Sequence, residues 1–581
     1  DLSVSNARKF NWTVAWQRDN PKQEGSDSRD RYAAYCAATT LADARVLGAR
    51  AADILHDYAK GYLRILPNSL SNDEAAATTP LAPDTVACML KEWVTMRLKM
   101  LPKKGDLHDL NNWRGIMLLD AASKLVSMII ANRLDRVLKE EGLEAQNGFT
   151  GGRGCSDGSF SLRQALKRRR EHGLESWVLF VDLVKAFDSV PRDVLWAVLA
   201  KFGIPPHLLG VIKRMHEGLL VSFEIGGEKV EVPNTAGVKQ GDNMAPLLFI
   251  FVMQACLETL GDTWPVGKLE FRTNTRTTGV NGGKVSGTDW TNKGEFSFEI
   301  WCSLYADDAG VMHSSRADLV AGAEAIDAHL KLFGLLMHVG RGGKRSKTEA
   351  VLFHKRHSRQ EDGDTSDITL PCGGTISFTP QFTYLGSMIH CSLSDSHDVA
   401  NRIRKASAAF GALRETIFGT KYVPLQAKAA LYSSGVLSVL LYGCESWCLT
   451  QKGMLTPLRN WHNKRIREMC RVTMHQVELY SITSVELQKR IGIWDLDYYV
   501  GRRTLQWVGH VARMDKSRLP RRLLTAWVRE PRPEFGQEMS YGRSLERWLK
   551  LFGLPLRYTE WATLAQDRAE WARLITRKRP H

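Results

Sequence analysis

Five consecutive apolar residues, Trp177-Val178-Leu179-Phe180-Val181, run directly into Asp182. A continuous apolar run of that length is the signature of a buried strand, so the acid at its end lies at the rim of a core. A second segment repeats the theme. Leu304-Tyr305-Ala306-Asp307-Asp308-Ala309 sets two adjacent carboxylates at the tip of a hairpin expected over Phe296 to Met312. An isolated Asp-Asp pair is most often a solvated turn. Apolar flanks change that, because they bring the acids close to a core where neighbouring carboxylates repel unless cations neutralise them. Hard divalent ions with oxygen ligands are the natural counter-charge. Two such ions ~4 Å apart, held by carboxylates from two strands, are the arrangement that clamps attacking and leaving oxygens in phosphoryl transfer.

The rest of the chain is consistent with a large folded protein that meets a polyanion. With 581 residues, 44% hydrophobic and 17 Trp, the chain is neither mainly disordered nor fibrous. The net charge of +16 points to nucleic acid before a membrane surface. The longest uncharged apolar run, between Asp242 and Glu258, is shorter than the ~18 residues of a spanning helix, and no signal peptide is visible. The 10 Cys are scattered, as suits a reducing compartment. Asp1 in place of a Met leaves open a fragment of a longer protein.

Along the chain, a polar lead-in and a helix running through Ala37, Leu41, Val46, Leu55 and Leu63 precede a linker at Pro67 to Pro83. From about 85 to 390 helices and strands alternate. Helices are expected over Ser123–Leu138, Pro191–Phe202 and Met244–Leu260, a hairpin over Val221–Val232, and a polar surface excursion over 262–294. After about 392 the pattern is nearly all helix: 397–418, 424–441, 453–471 and 484–510.

The ordered motifs resemble those of reverse transcriptases from LINE-type (non-LTR) retrotransposons. Tyr305-Ala306-Asp307-Asp308 is similar to their catalytic signature, and Phe180 to Asp188 to their first palm motif. Leu101-Pro102-Lys103-Lys104-Gly105-Asp106 with Asn112-Trp113-Arg114-Gly115-Ile116 resembles the finger motifs, followed by Gln146-Asn147-Gly148-Phe149 with Arg153 and Asp157. Gly237-Val238-Lys239-Gln240-Gly241 resembles the template-gripping motif. Gly334-Leu335, Lys347-Thr348-Glu349, Tyr384-Leu385-Gly386-Ser387, Leu441-Tyr442-Gly443 and Trp507 to Met514 continue the series, which covers about 95 to 575.

The resemblance implies an α+β right-hand polymerase. Its parts would be an N-terminal helical extension (1–84), fingers and palm (85–390), a helical thumb (391–480) and a C-terminal helical, Arg/Trp-rich nucleic-acid-binding region (481–581). It implies an RNA-directed DNA polymerase extending a DNA 3′ end on an RNA template with deoxynucleoside triphosphates, by target priming at nicked DNA, in an intracellular ribonucleoprotein of nucleus and cytoplasm. Asp182, Asp307 and Asp308 would hold two Mg²⁺ ions, with Mn²⁺ as a substitute. Arg114 and one of Lys103 or Lys104 would contact the triphosphate. Lys347 would donate a proton to pyrophosphate, Gln240 and Gly241 would admit template and nascent pair, and Phe187 would gate the nucleotide sugar. The alternative is a catalytically inactive or domesticated RNA-binding relic, which the charge supports equally. A viral RNA-dependent RNA polymerase fits less well, since Ala306 precedes the Asp pair where Gly is usual.

Other signals point to simpler roles. Gly151 to Gly154 and Gly340 to Lys344 lack the spacing of a phosphate loop. Cys444, Cys448, His462, Cys470 and His475 fall within helical periodicity and read as core rather than zinc ligands. Lys167-Arg168-Arg169-Arg170 reads by default as a solvated helix face, with phosphate contact or nuclear import as its functional reading. Trp507, Trp527, Trp548, Trp561 and Trp571 either stack on bases or build a small core. Asp242-Asn243-Met244-Ala245 and Gly115 depart from the usual pattern, and no endonuclease-like segment precedes residue 95.

Overall fold

The computed structural model describes residues 14–16, 32–34, 36–38, 63–65, 95–102, 106–108, 112–225, 227–274, 295–355, 363–449, 453–528 and 540–576. The chain divides into two compact units, Asp1–Val94 and Thr95–His581. In the first, Val14–Trp16 pairs antiparallel with Leu63–Ile65. Leu63 therefore belongs to a strand and not to the expected helix, and Ala37 and Ala38 sit at a turn. The helix core from Leu41 to Leu55 and the linker at 67–83 lie outside the described residues.

The second unit is built on a six-stranded sheet. Labelling only the elements needed, its strands are β3 (Ser176–Val181), β8 (Cys302–Tyr305), β9 (Asp308–His313), β10 (Glu349–Phe353), β11 (Ile368–Thr369) and β12 (Thr375–Phe378), in the order β8-β9-β3-β10-β12-β11. The apolar run of β3 is explained by its place. Both edges are hydrogen-bonded, with Phe180 opposite Gly310 on one side and Glu349 on the other. Val178 and Phe180 join Leu162, Ala165 and Leu166 of helix α2 (Cys155–Glu171) in one core. A four-stranded sheet, β2-β1-β4-β5, carries β1 (Thr95–Pro102), β2 (Trp113–Leu118), β4 (Leu220–Ile225) and β5 (Glu228–Pro233). Helices α1 (Ala121–Glu141), α3 (Arg192–Lys201) and α5 (Ala245–Asp262) follow the expected positions. By length and composition α5 could cross a membrane, but 67% of it is buried within the protein.

One strand expectation changes. Phe296 to Met312 is not a single hairpin: β7 (Glu295–Ile300) pairs with β6 (Leu269–Asn274), and the acid-bearing hairpin is only β8 and β9. The polar excursion therefore begins later than 262, and 275–294 lie outside the described residues.

The helical half shares one core. Buried side chains from Val399 to Ile575 pack together with Phe160 of α2. The expected helix 484–510 is two helices, Ser484–Ile491 and α9 (Leu496–Arg513). Gly492 ends the first at φ +73°, and the Asp495 side chain caps the second by accepting from the Tyr498 N–H. Trp507, Trp548, Trp561 and Trp571 are core residues. A Cβ at Gly509 would lie 2.2 Å from the Trp571 indole nitrogen, so α9 needs glycine there. Trp527 is half-buried and pairs its backbone with Arg272.

The basic run of α2 is not solvated. Lys167, Arg168 and Arg169 are buried. Lys167 reaches Asp395 at 2.6 Å, Arg168 donates to the Leu524 carbonyl at 3.2 Å, and Arg169 donates to Ser176 at 2.9 Å. Arg163, a turn earlier, is paired with Asp395 and with Asp398. Burial pushes the Cys444 and Cys448 thiols up, while His462 is bonded to Tyr432 and Trp494. With Cys470 they are core, as their periodicity implies, whereas His475 is exposed.

Candidate active site

The register of the sheet assembles the acids. In the β9–β3 ladder Ala309 lies opposite Val181, which carries the antiparallel line onward to Asp308 and Asp182. Asp182 is the first residue after β3, Asp307 lies in the turn between β8 and β9, and Asp308 begins β9. The turn is tight: Ala306 adopts φ +55°, a left-handed conformation that costs a non-glycine residue about 1 kcal/mol or more.

The charges are coupled. Burial, reinforced by Asp182, raises the Asp307 carboxyl above its usual range, while Arg114 draws it back down. Asp308 reaches solvent, yet the surrounding protein, then Asp307 and Asp182, push its carboxyl to about 6. Arg114 is exposed on β2, so the structure places Asp182, Asp307, Asp308 and Arg114 in one electrostatic neighbourhood.

Two polar side chains support this centre, and the sequence motifs contained both without revealing their task. The Thr348 hydroxyl accepts from the Asp182 N–H at 3.1 Å and lies 3.3 Å from the Asp182 carbonyl, which also accepts from the His338 N–H at 2.8 Å. Lys347, beside Thr348, is exposed, and its backbone N–H donates to His338 Nδ1 at 3.2 Å. Gln146 is buried, and its amide oxygen accepts from both the Gly148 and the Ala306 N–H, each at 2.8 Å. Gln146 thus holds the left-handed residue of the turn. A Cβ on Gly148 would stand 2.5 Å from the Ala306 nitrogen, so only glycine allows the two backbones to approach. The available signal was a buried-pattern amide next to a glycine, in Gln146-Asn147-Gly148.

The remaining candidates are distributed around the same unit. The Gln240 carbonyl accepts from the Met117 N–H of β2 at 2.8 Å, and Gly241, at φ +119°, would place a Cβ 2.4 Å from the Met117 carbonyl oxygen. This segment is therefore docked on the strand that carries Arg114. Phe187 is half-buried and stacks on Phe249 of α5 with ring centroids 4.9 Å apart, while its carbonyl accepts from the Val238 N–H. Lys239, quoted in the motif without a role, is buried, and burial pushes its ammonium down to about 8. Lys103 and Lys104 lie outside the described residues.

Among the described residues no three His, Cys, Asp or Glu side chains close into a finished metal cage. The three aspartates nonetheless fit divalent cations by chemistry. They offer hard carboxylate oxygens, and their mutual repulsion is the kind that a cation relieves.

Residues 101–389 match the family model described as reverse transcriptase (RNA-dependent DNA polymerase). The Pol polyprotein of the type-1 retrotransposable element R2 from Popillia japonica is 30% identical over 177 residues, covering 30% of this chain and 25% of the relative. The probable RNA-directed DNA polymerase from transposon BS of Drosophila melanogaster is 23% identical over 454 residues, covering 75% of this chain and 44% of the relative. A solved structure of apo telomerase from Candida tropicalis is 11% identical, with a TM-score of 0.37, and covers 90% of this chain and 78% of that one. Residues 101–389 thus carry a reverse transcriptase domain, and the curated relatives that align with the chain are polyproteins and polymerases of retrotransposable elements. It spans a quarter or less of the length of the first curated relatives it matches.

Proposed function

We propose that the chain is an RNA-directed DNA polymerase that extends a DNA 3′ end on an RNA template, in target-primed fashion, within an intracellular ribonucleoprotein. The observation that carries this is the coupling of Asp182, Asp307 and Asp308 beside Arg114, inside the segment that matches the family. In this reading the sheet of β3, β8 and β9 is a palm, the β1–β2 region belongs to the fingers, and the helices after about 391 form the thumb and a C-terminal region.

Bound at the three aspartates, two Mg²⁺ ions would lower the pKa of the primer 3′-hydroxyl and neutralise charge on the departing pyrophosphate. Arg114 offers the triphosphate a planar fork of donors, and one of Lys103 or Lys104 supplies a second cation to it. The backbone at Gln240 and Gly241 receives the template and nascent pair. Phe187, braced by Phe249, gates the sugar. Lys347, exposed next to the residue that supports Asp182, supplies a proton to pyrophosphate.

The test is extension of oligo(dT) on poly(rA) with Mg²⁺ and dTTP. Incorporation is expected with Mg²⁺ and none with EDTA. Tight RNA binding without any incorporation would instead favour the relic.

A further inference from the structure

Four charged side chains join the helical half to the segment beneath the Asp307–Asp308 turn. From the chain just before helix α10 (Leu519–Leu524), Arg518 donates through Nε to Glu144 at 2.9 Å and through Nη2 to Asp157 at 2.8 Å. The Leu519 N–H donates to the same Glu144 oxygen at 2.8 Å. Arg153 binds Glu144 from the other side at 2.9 Å and gathers the carbonyls of Leu143, Glu144 and Gln146 at 2.8, 3.1 and 2.8 Å. Two cations and two anions balance, and the Asp157 and Arg518 side chains are only 5% and 15% exposed.

From this clasp the path to the turn is short. The Leu304 N–H donates to the Ala145 carbonyl at 3.0 Å, and the Asn147 N–H donates to the Leu304 carbonyl at 2.9 Å. Between them, Gln146 holds Ala306 through its amide oxygen. Docking of α10 does not need the clasp, because Leu519, Leu523 and Leu524 are buried in their own right. The polar contacts of Arg518 are therefore free to serve placement rather than adhesion.

We infer that Arg518 is a positioning residue of the polymerase centre, acting through Glu144, Arg153 and Gln146 on Ala306 and hence on Asp307 and Asp308. This rests on the reading of those aspartates as the cation-binding centre. Without Arg518, Glu144 and Asp157 lose the fork that joins and spaces them, and the segment carrying Gln146 gains freedom. Partners that orient metal ligands from behind typically alter metal affinity by ~10–100-fold when removed.

The experiment is Mn²⁺ titration of the full chain followed by electron paramagnetic resonance, alongside thermal melting. Gln146→Met, which keeps length but removes the acceptor, is expected to bind Mn²⁺ at least about tenfold more weakly. Gln146→Glu keeps an oxygen for both N–H groups and should stay near the parent. Arg518→Met, acting at one remove, should weaken binding by about threefold, a fraction of the direct effect, when measured well below its Tm so that loss of the Asp157 counter-charge does not populate the unfolded chain. If Arg518→Met does not fold, Arg518→Lys, which keeps the charge but loses the two-point fork, takes its place with the same expectation. Parent-like Mn²⁺ binding in the Arg518 variant overturns the proposal. Asp307→Asn separates the two levels: if it too binds like the parent, the carboxylate assignment itself falls.

Discussion

Two acid clusters in the same unit meet opposite fates. Asp395 and Asp398, at the start of helix α7 (Ser396–Ala412), are buried against Arg163, Lys167 and Arg402. The same carboxylate oxygens also accept from the Cys448 N–H at 2.7 Å, the Trp447 indole at 2.9 Å and the Met388 N–H at 3.0 Å. Every charge there has a partner within the protein. Asp182, Asp307 and Asp308 have mainly one another, with Arg114 the one cation among the described residues that acts on Asp307. The first cluster is a joint between the sheet-bearing half and the helical half. The second is left electrically incomplete, which is what a site for an exchangeable cation requires. Acidity alone does not tell a joint from a site; the supply of internal counter-charge does.

The comparison breaks most visibly under amide substitution. Asp307→Asn removes a proposed metal ligand and a like charge together. Primer extension should fall by about a thousandfold or more, since cation stabilisation of the transition state amounts to several kcal/mol. The Tm should hold or rise. Residual extension within tenfold of the parent would defeat the assignment.

Asp398→Asn reverses the pattern. It leaves Arg163 and Arg402 short of a counter-charge in a dry core, at a cost of roughly 3–5 kcal/mol. Urea unfolding should report that loss, and any lost activity should follow the unfolded fraction. A variant as stable as the parent would show that the joint is dispensable.

The smallest effect sharpens the electrostatics. The Asp308 carboxyl lies at about 6 in the folded chain against a usual 3.8. Between those values the folded chain holds the extra proton, so relief of repulsion is complete below the window and is lost as pH rises through about 6. A divalent cation competes with that proton. Millimolar Mg²⁺ should therefore raise the Tm at pH 7.5, by about 1.4 kcal/mol of stability at tenfold over Kd, and do so less at pH 5. An equal shift at both pH values would rule out competition at Asp308.

The centre could be read in the sequence because it depends on local pattern. An apolar run ending in Asp182 and a short hairpin carrying Asp307 and Asp308 are each visible within ten residues. What holds the centre was not visible, because Gln146 meets Ala306 across 160 residues and Thr348 meets Asp182 across 166. The basic run of α2 misled for a similar reason. Four consecutive cations look solvated until Asp395 and Leu524 arrive from elsewhere in the chain and Ser176 turns back onto Arg169. Likewise, periodicity continued through Gly492, where backbone conformation ended the helix. Motif chemistry is local; burial and counter-charge are decided by distant partners.

The long closure between α2 and α10 also has a consequence in time. Arg518 meets Asp157 across 361 residues, and Leu524 meets Arg168 across 356. A ribosome adding ~5–20 residues per second needs roughly 20–70 s to cover that interval, during which Asp157 waits for Arg518 and Arg168 waits for the Leu524 carbonyl. A chain broken off before Arg518 lacks the partner of Glu144 and Asp157, along with the buried leucines that cover α2. The carboxylate centre is therefore completed only once Arg518 has been made, and a product broken off before that residue is expected to be a poor polymerase even with all three aspartates present.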